Sequence, residues 1–199
     1  ENIVSAMAEK LTSRGPDDRG EWVNPELGVA LAHRRLAILD LTSAGHQPMI
    51  SESGRYVLVY NGEIYNHLDL RHELEEKGSA PNWRGSCDTE TLMAGFEKWG
   101  IERTLLRTKG MFAFALWDQS KHSLTLGRDR MGEKPLYYGS INGMFFFASE
   151  LSALKAHPSF DTEIDRKALN LFMQFGYVPT PYSIYKNIKK LEPGCTINF

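Results

Sequence analysis

Cysteine is scarce in this chain, with only Cys87 and Cys195 among 199 residues. One bridge at most is available and neither residue has a metal-type CxxC partner, which excludes a disulfide framework and makes a reducing, cytoplasmic setting the expectation. Long apolar runs are also missing. Nothing approaches the roughly 18 residues a bilayer span requires, and the start lacks the basic-then-apolar order of a signal peptide, so no membrane association is expected. Neither charge sign dominates: Lys+Arg 23 against Asp+Glu 25 gives a net charge of -2, without the basic excess of a phosphate-backbone binder. Nucleic acid is therefore not an expected partner. The six histidines include no HExxH, and His67 and His72 are spaced so that they do not stack on a helix face, so no metal site is expected. There is no G-x-S-x-G elbow and no P-loop; "GRDRMGEKPLYYG" has glycines and basic residues but reads as a turn between strands, with Arg130 and Lys134 at a domain edge. Internal repeats and low-complexity tracts are absent as well.

What is present is a hydrophobic content of 42%, enough to bury a real core. The chain opens on an amphipathic pattern, Ile3, Met7 and Leu11, with no capping residue before it, and closes on the strand-like "KLEPGCTINF" with no strand after it to pair with; residues 1–199 therefore read as a fragment of a longer polypeptide. Between these ends, "SRGPDDRG" is a loop, "GVALAHRRLAILDL" (28–41) a strand, and "VLVYNGEIYN" (57–66) a strand expected to end at Asn61–Gly62. "HLDLRHELEEKG" (67–78) and "CDTETLMAGFEKWG" (87–100) read as short helices stopped by glycine. Residues 110–149 read as an antiparallel meander, and 161–176 as a further helix before a Pro-punctuated extended passage. Hairpins with segregated helices predict an α+β fold.

The polar residues pose the chemical question. Asn61–Gly62 between apolar runs has a plain reading as a tight hairpin turn. The alternative is that the Asn amide and the Gly N–H converge on one point as an oxyanion hole. In "HRRL", strand alternation sends Arg34 and Arg35 to opposite faces, so one guanidinium lies in a cleft, where it pairs with a protein carboxylate or grips a ligand carboxylate bidentately. Asp88 stands at a helix start, as a cap or as a ligand group. An Arg facing an Asp, with Glu63 beside them, suits a zwitterionic amino acid, the guanidinium on its α-carboxylate and the acids on its α-ammonium.

In order and spacing, "RGPDDRG", "LAHRRLAILDL", "QPM", "VYNGEIYN", "GSCDTE", "GMFAFALWD", "GRDRMGEKPLYYG" and "FFASE" resemble the glutaminase domain of asparagine synthetase-type class II glutamine amidotransferases, over nearly the whole chain. The resemblance implies an N-terminal nucleophile hydrolase fold, a four-layer αββα sandwich of two antiparallel sheets, that hydrolyses L-glutamine to glutamate and ammonia. It also implies an oxyanion hole at Asn61 and Gly62, α-carboxylate binding by Arg35 with backbone from Ile38 and Leu39, and α-amino contacts from Glu63 and Asp88. No cofactor is implied for this domain. ATP and magnesium belong to a C-terminal synthetase domain of the same polypeptide that amidates an acceptor, most simply aspartate to asparagine, and a homodimer is compatible with this.

The departure is the nucleophile. The family begins on a cysteine whose own α-amine, with an ordinary pKa of about 7.7–8.0, serves as base, whereas this sequence begins with Glu1. Cys87 is a poor substitute, because the neighbouring Asp88 opposes thiolate formation, and Cys195 lies in a strand-like tail. The expectation is an upstream strand carrying the Cys. The alternative is a catalytically inactive glutamine-binding module with a regulatory or scaffold role.

Overall fold

A computed structural model describes residues 2–199. Its centre is strand β4 (Tyr56–Ile64), whose side chains are buried on both faces over Tyr56–Tyr60. It pairs antiparallel with the equally apolar β5 (Gly110–Asp118), with Tyr60 opposite Phe114 and Gly62 opposite Phe112. β6 (Ser123–Arg128) and β10 (Thr196–Asn198) extend the sheet on one side and the two-residue β3 (Met49–Ile50) on the other, in the order β10-β6-β5-β4-β3. A second layer holds the hairpin β1 (Asp18–Asn24) with β2 (Val29–Arg35), and a three-stranded sheet ordered β8-β7-β9, from β7 (Tyr137–Ile141), β8 (Met144–Ala148) and β9 (Ile188–Lys190).

Period-two alternation decides what each face of β4 meets. Tyr56, Leu58, Tyr60 and Ile64 join Leu70, Leu92 and Phe96 in one core cluster, which brings in α2 (His67–Glu76) and α3 (Asp88–Trp99), with Ile101 and Leu105 of α4 (Ile101–Arg107) packed against it. Val57 and Val59 join Leu31, Leu136 and Leu191 in a cluster between the two sheet layers. A third cluster lies on the far side of the second layer, where Phe146 and Ile188 meet Leu154 of α5 (Leu151–Lys155) and Met7 of α1 (Asn2–Glu9). Helices, sheet, sheet and helices make the expected four-layer αββα sandwich.

Several local expectations are corrected. The strand 28–41 stops at Arg35, after which residues 36–42 fold over as a loop that ends in a 3-10 turn, Ser43–Gly45. β4 does not end at Asn61–Gly62; it continues to Ile64, in register with β5 throughout, so neither a hairpin turn nor a strand terminus forms there. The meander 110–149 is shared out, β5 and β6 to the first sheet and β7 and β8 to the second. The closing strand, β10, pairs back onto the earlier β6. Helix α6 (Arg166–Phe175) starts later than 161, where the Asp165 carboxylate accepts hydrogen bonds from the Lys167 and Ala168 amides.

Candidate active site

The two sheet layers enclose a cleft of about 1050 Å³ lined by Arg35, Ile38, Leu39, Asn61, Gly62, Glu63 and Asp88 together, although these residues come from a strand end, a loop, a second strand and a helix. The volume is at the top of the range for small-molecule sites and exceeds what one amino acid needs. β2 and β8 both line it, and β2 pairs only with β1 and β8 only with β7 among the described residues, so two open strand edges give onto the cleft.

Arg35 forms no ion pair among the described residues. Its guanidinium instead donates to the backbone carbonyls of Asp40 and Thr42, at 2.9 Å for the latter. Those bonds fold the Ile38–Leu39 loop back over the arginine. Arg34 turns elsewhere, to the Gly15 carbonyl at 3.0 Å and the Glu9 carboxylate at 3.7 Å. The Asp40 carboxylate locks the loop, accepting from the Thr42 amide (2.8 Å) and hydroxyl (2.6 Å) and from the Ser86 amide (2.9 Å). The Thr42 hydroxyl and these amides lower its pKa to about 2.

Asp88 is buried and does not cap its helix, since Cys87 holds the N-cap position. Its Oδ2 accepts from the Tyr60 hydroxyl at 3.0 Å and the Ile64 amide at 2.8 Å, tying the start of α3 to the edge of β4. Glu90 completes that anchorage by accepting from the amides of Arg84 (2.8 Å) and Gly85 (3.2 Å). Burial pushes the Cys87 thiol up, with Glu90, Asp88 and Asp40 adding to it, so this cysteine is not activated.

Along β4 the amides alternate between the two strand edges. Tyr60 and Ile64 turn theirs away from β5, to Gln47 Oε1 at 2.6 Å and to Asp88 Oδ2 at 2.8 Å. Gly62, midway between them, faces the same way, onto the cleft. Asn61 and Glu63, by the side-chain alternation that carries Val57 and Val59 to the inter-sheet cluster, project onto the cleft face.

Gln47, Tyr60 and His33 also line this cleft, and no motif in the sequence marks them as site residues. "QPM" contains the first, but nothing local indicates that Gln47 reaches the residue before Asn61.

The family profile described as "Glutamine amidotransferase domain" matches residues 1–199. The chain belongs to that family. The amidotransferase domain is 40% identical over 194 residues to asparagine synthetase [glutamine-hydrolyzing] 1 of Bacillus subtilis, covering 98% of this chain and 30% of the relative. It thus spans about a third of the curated relative it matches. Among solved structures, the glutamine phosphoribosylpyrophosphate amidotransferase from B. subtilis superposes with a TM-score of 0.66 at 21% identity, over 78% of this chain and 40% of that one. A structure described as the allosteric regulatory enzyme of purine biosynthesis gives 0.72 at 20% identity, over 99% and 44%. At those identities the superpositions establish the shared sandwich fold of the amidotransferase domain.

Proposed function

We propose that this domain hydrolyses L-glutamine and passes the ammonia to an ATP- and magnesium-dependent synthetase domain of the same polypeptide, where aspartate is amidated to asparagine. The observation that carries the reading is the convergence on one cleft of Arg35, in no ion pair among the described residues, with Glu63, Asp88 and the Asn61–Gly62 edge. Arg35 grips the substrate α-carboxylate beside the backbone of Ile38 and Leu39. Glu63 and Asp88 receive the α-ammonium, and the Asn61 amide with the Gly62 N–H holds the oxyanion that forms as the γ-carboxamide is attacked. In this reading Arg35→Ala weakens glutamine binding by about 1.5–3 kcal/mol, the value of a hydrogen bond to a charged group, measured by calorimetric titration.

The nucleophile is a cysteine at the head of an upstream strand, with its α-amine as base. Support comes from the cleft itself: it is larger than the substrate needs, and the open edges of β2 and β8 both give onto it, as a slot for one further strand requires. The two free thiols suit a cytoplasmic protein. The decisive experiment is ammonia release from L-glutamine by residues 1–199 and by the intact protein. Activity in the intact protein alone supports the upstream nucleophile; binding without hydrolysis in both makes the domain a glutamine-binding module.

A further inference from the structure

Tyr60 is held at every polar group it has. Its amide donates to Gln47 Oε1 at 2.6 Å, its carbonyl lies 3.0 Å from His33 Nε2, and its hydroxyl donates to Asp88 Oδ2 at 3.0 Å. The reason lies in the sheet. β3 pairs with β4 at Met49–Leu58 and Ile50–Val57, and beyond Leu58 no strand covers this edge among the described residues. A buried peptide group without a partner is costly, and at Tyr60 two side chains, from the "HQPM" loop and from β2, take the place of the missing ladder. The next group on the same edge is Gly62.

We infer that His33 and Gln47, acting through the Tyr60 peptide, are positioning residues that set the direction of the Gly62 N–H for catalysis, in addition to the residues that touch substrate. The inference rests on the glutaminase reading for its activity test and on geometry alone for its structural test. A carbonyl can only accept, so Nε2 carries the proton of the neutral ring. Nδ1 is then an acceptor sealed from solvent and without a partner among the described residues. With its N–H engaged by the Tyr60 carbonyl and its other nitrogen sealed from solvent, the ring serves to hold a peptide in place.

In the intact protein, His33→Leu removes the donor and His33→Gln offers one at a similar reach; Gln47→Met removes the acceptor and Gln47→Glu retains it. The expected result for His33→Leu and Gln47→Met is a kcat for L-glutamine hydrolysis lower by about tenfold to a hundredfold, as for a misplacement near the reacting atoms. KM stays within about twofold and the pH profile keeps its shape, while His33→Gln and Gln47→Glu recover most of the rate. A folded His33→Leu with unchanged kcat, or with its loss wholly in KM, overturns the inference; so does the loss of a limb of the pH profile, which would make His33 a proton carrier. Amide hydrogen exchange over residues 57–64 needs no activity. Faster exchange in His33→Leu and Gln47→Met, restored in the conservative pair, is expected, and unchanged exchange rejects the clamp. An intact wild-type protein that releases no ammonia counts against the glutaminase reading, and the exchange result then decides the clamp by itself.

Discussion

A methyl group at Gly62 has nowhere to go: a Cβ built there collides with the Met111 carbonyl oxygen and lies 2.6 Å from the Phe112 Cα. Both are backbone atoms of the paired strand and cannot swing aside. Gly62→Ala is expected to destabilise by about 1–3 kcal/mol through overpacking, read as a lowered denaturation midpoint, with glutamine turnover falling further because the edge N–H shifts. His33 gives a prediction in pH. Burial lowers its pKa from 6.5 to about 4, assisted by Arg35 and His46 and opposed by the Tyr60 carbonyl and Asp18. The unfolded chain therefore binds the proton first. Stability from this group is complete above pH 6.5, drains as pH falls, and is gone below about 4. Between pH 7 and pH 5 the wild type should lose about 1–2 kcal/mol more than His33→Gln in denaturant titrations.

The loop 84–87 and helix α3 illustrate how Asp88, the carboxylate proposed to meet the α-ammonium, is held by its neighbours. Glu90 is buried, and its two oxygens satisfy two consecutive amides of the loop before the helix. Glu90→Ala leaves those part-buried amides without this partner, a loss smaller than the ~1–3 kcal/mol of a fully buried unpaired group. Thermal denaturation should reveal the loss, and glutamine affinity should fall with it because Asp88 moves with the start of α3. Much of this level could be read in advance. Helices were expected at 67–78 and 87–100 and occur at His67–Glu76 and Asp88–Trp99. Their leucines fall where a one-sided helix needs them, with Leu70 and Leu74 buried and Leu68 exposed. Leu36, Ile38 and Leu41 continue an apolar pattern that predicts strand to 41, yet in the structure all three are exposed. Their loop is held by the Arg35 and Asp40 contacts, which no periodicity reports.

Among the described residues the sandwich leaves the edges of β2 and β8 open onto the same cleft. If an upstream strand enters it, the outward amides of β2 and β8 should exchange within seconds to minutes in residues 1–199 and become protected by at least tenfold in the intact protein. Hydrogen-exchange mass spectrometry of both species makes the comparison; equal exchange in the two would place that strand elsewhere. The same insertion should raise the melting temperature, because a strand pairing on both edges and burying one face adds hydrogen bonds and apolar area together.

By itself the sequence determined the chemistry on offer: two cysteines without a framework, balanced charge, and eight motifs in the order of a glutamine amidotransferase domain. It also determined which residues were candidates, since Arg35, Asn61, Gly62, Glu63 and Asp88 stand out by residue type within those motifs. Tertiary structure decided that β4 runs on through Asn61–Gly62, that the apparent meander divides between two sheets, and that Tyr60 is clamped by residues 27 and 13 positions away. The physical reason is common to all three. Alternation and propensity are local and report which faces are apolar, whereas strand partners, open edges and the side chains that cap them depend on segments far apart in sequence, which only the folded chain brings into contact.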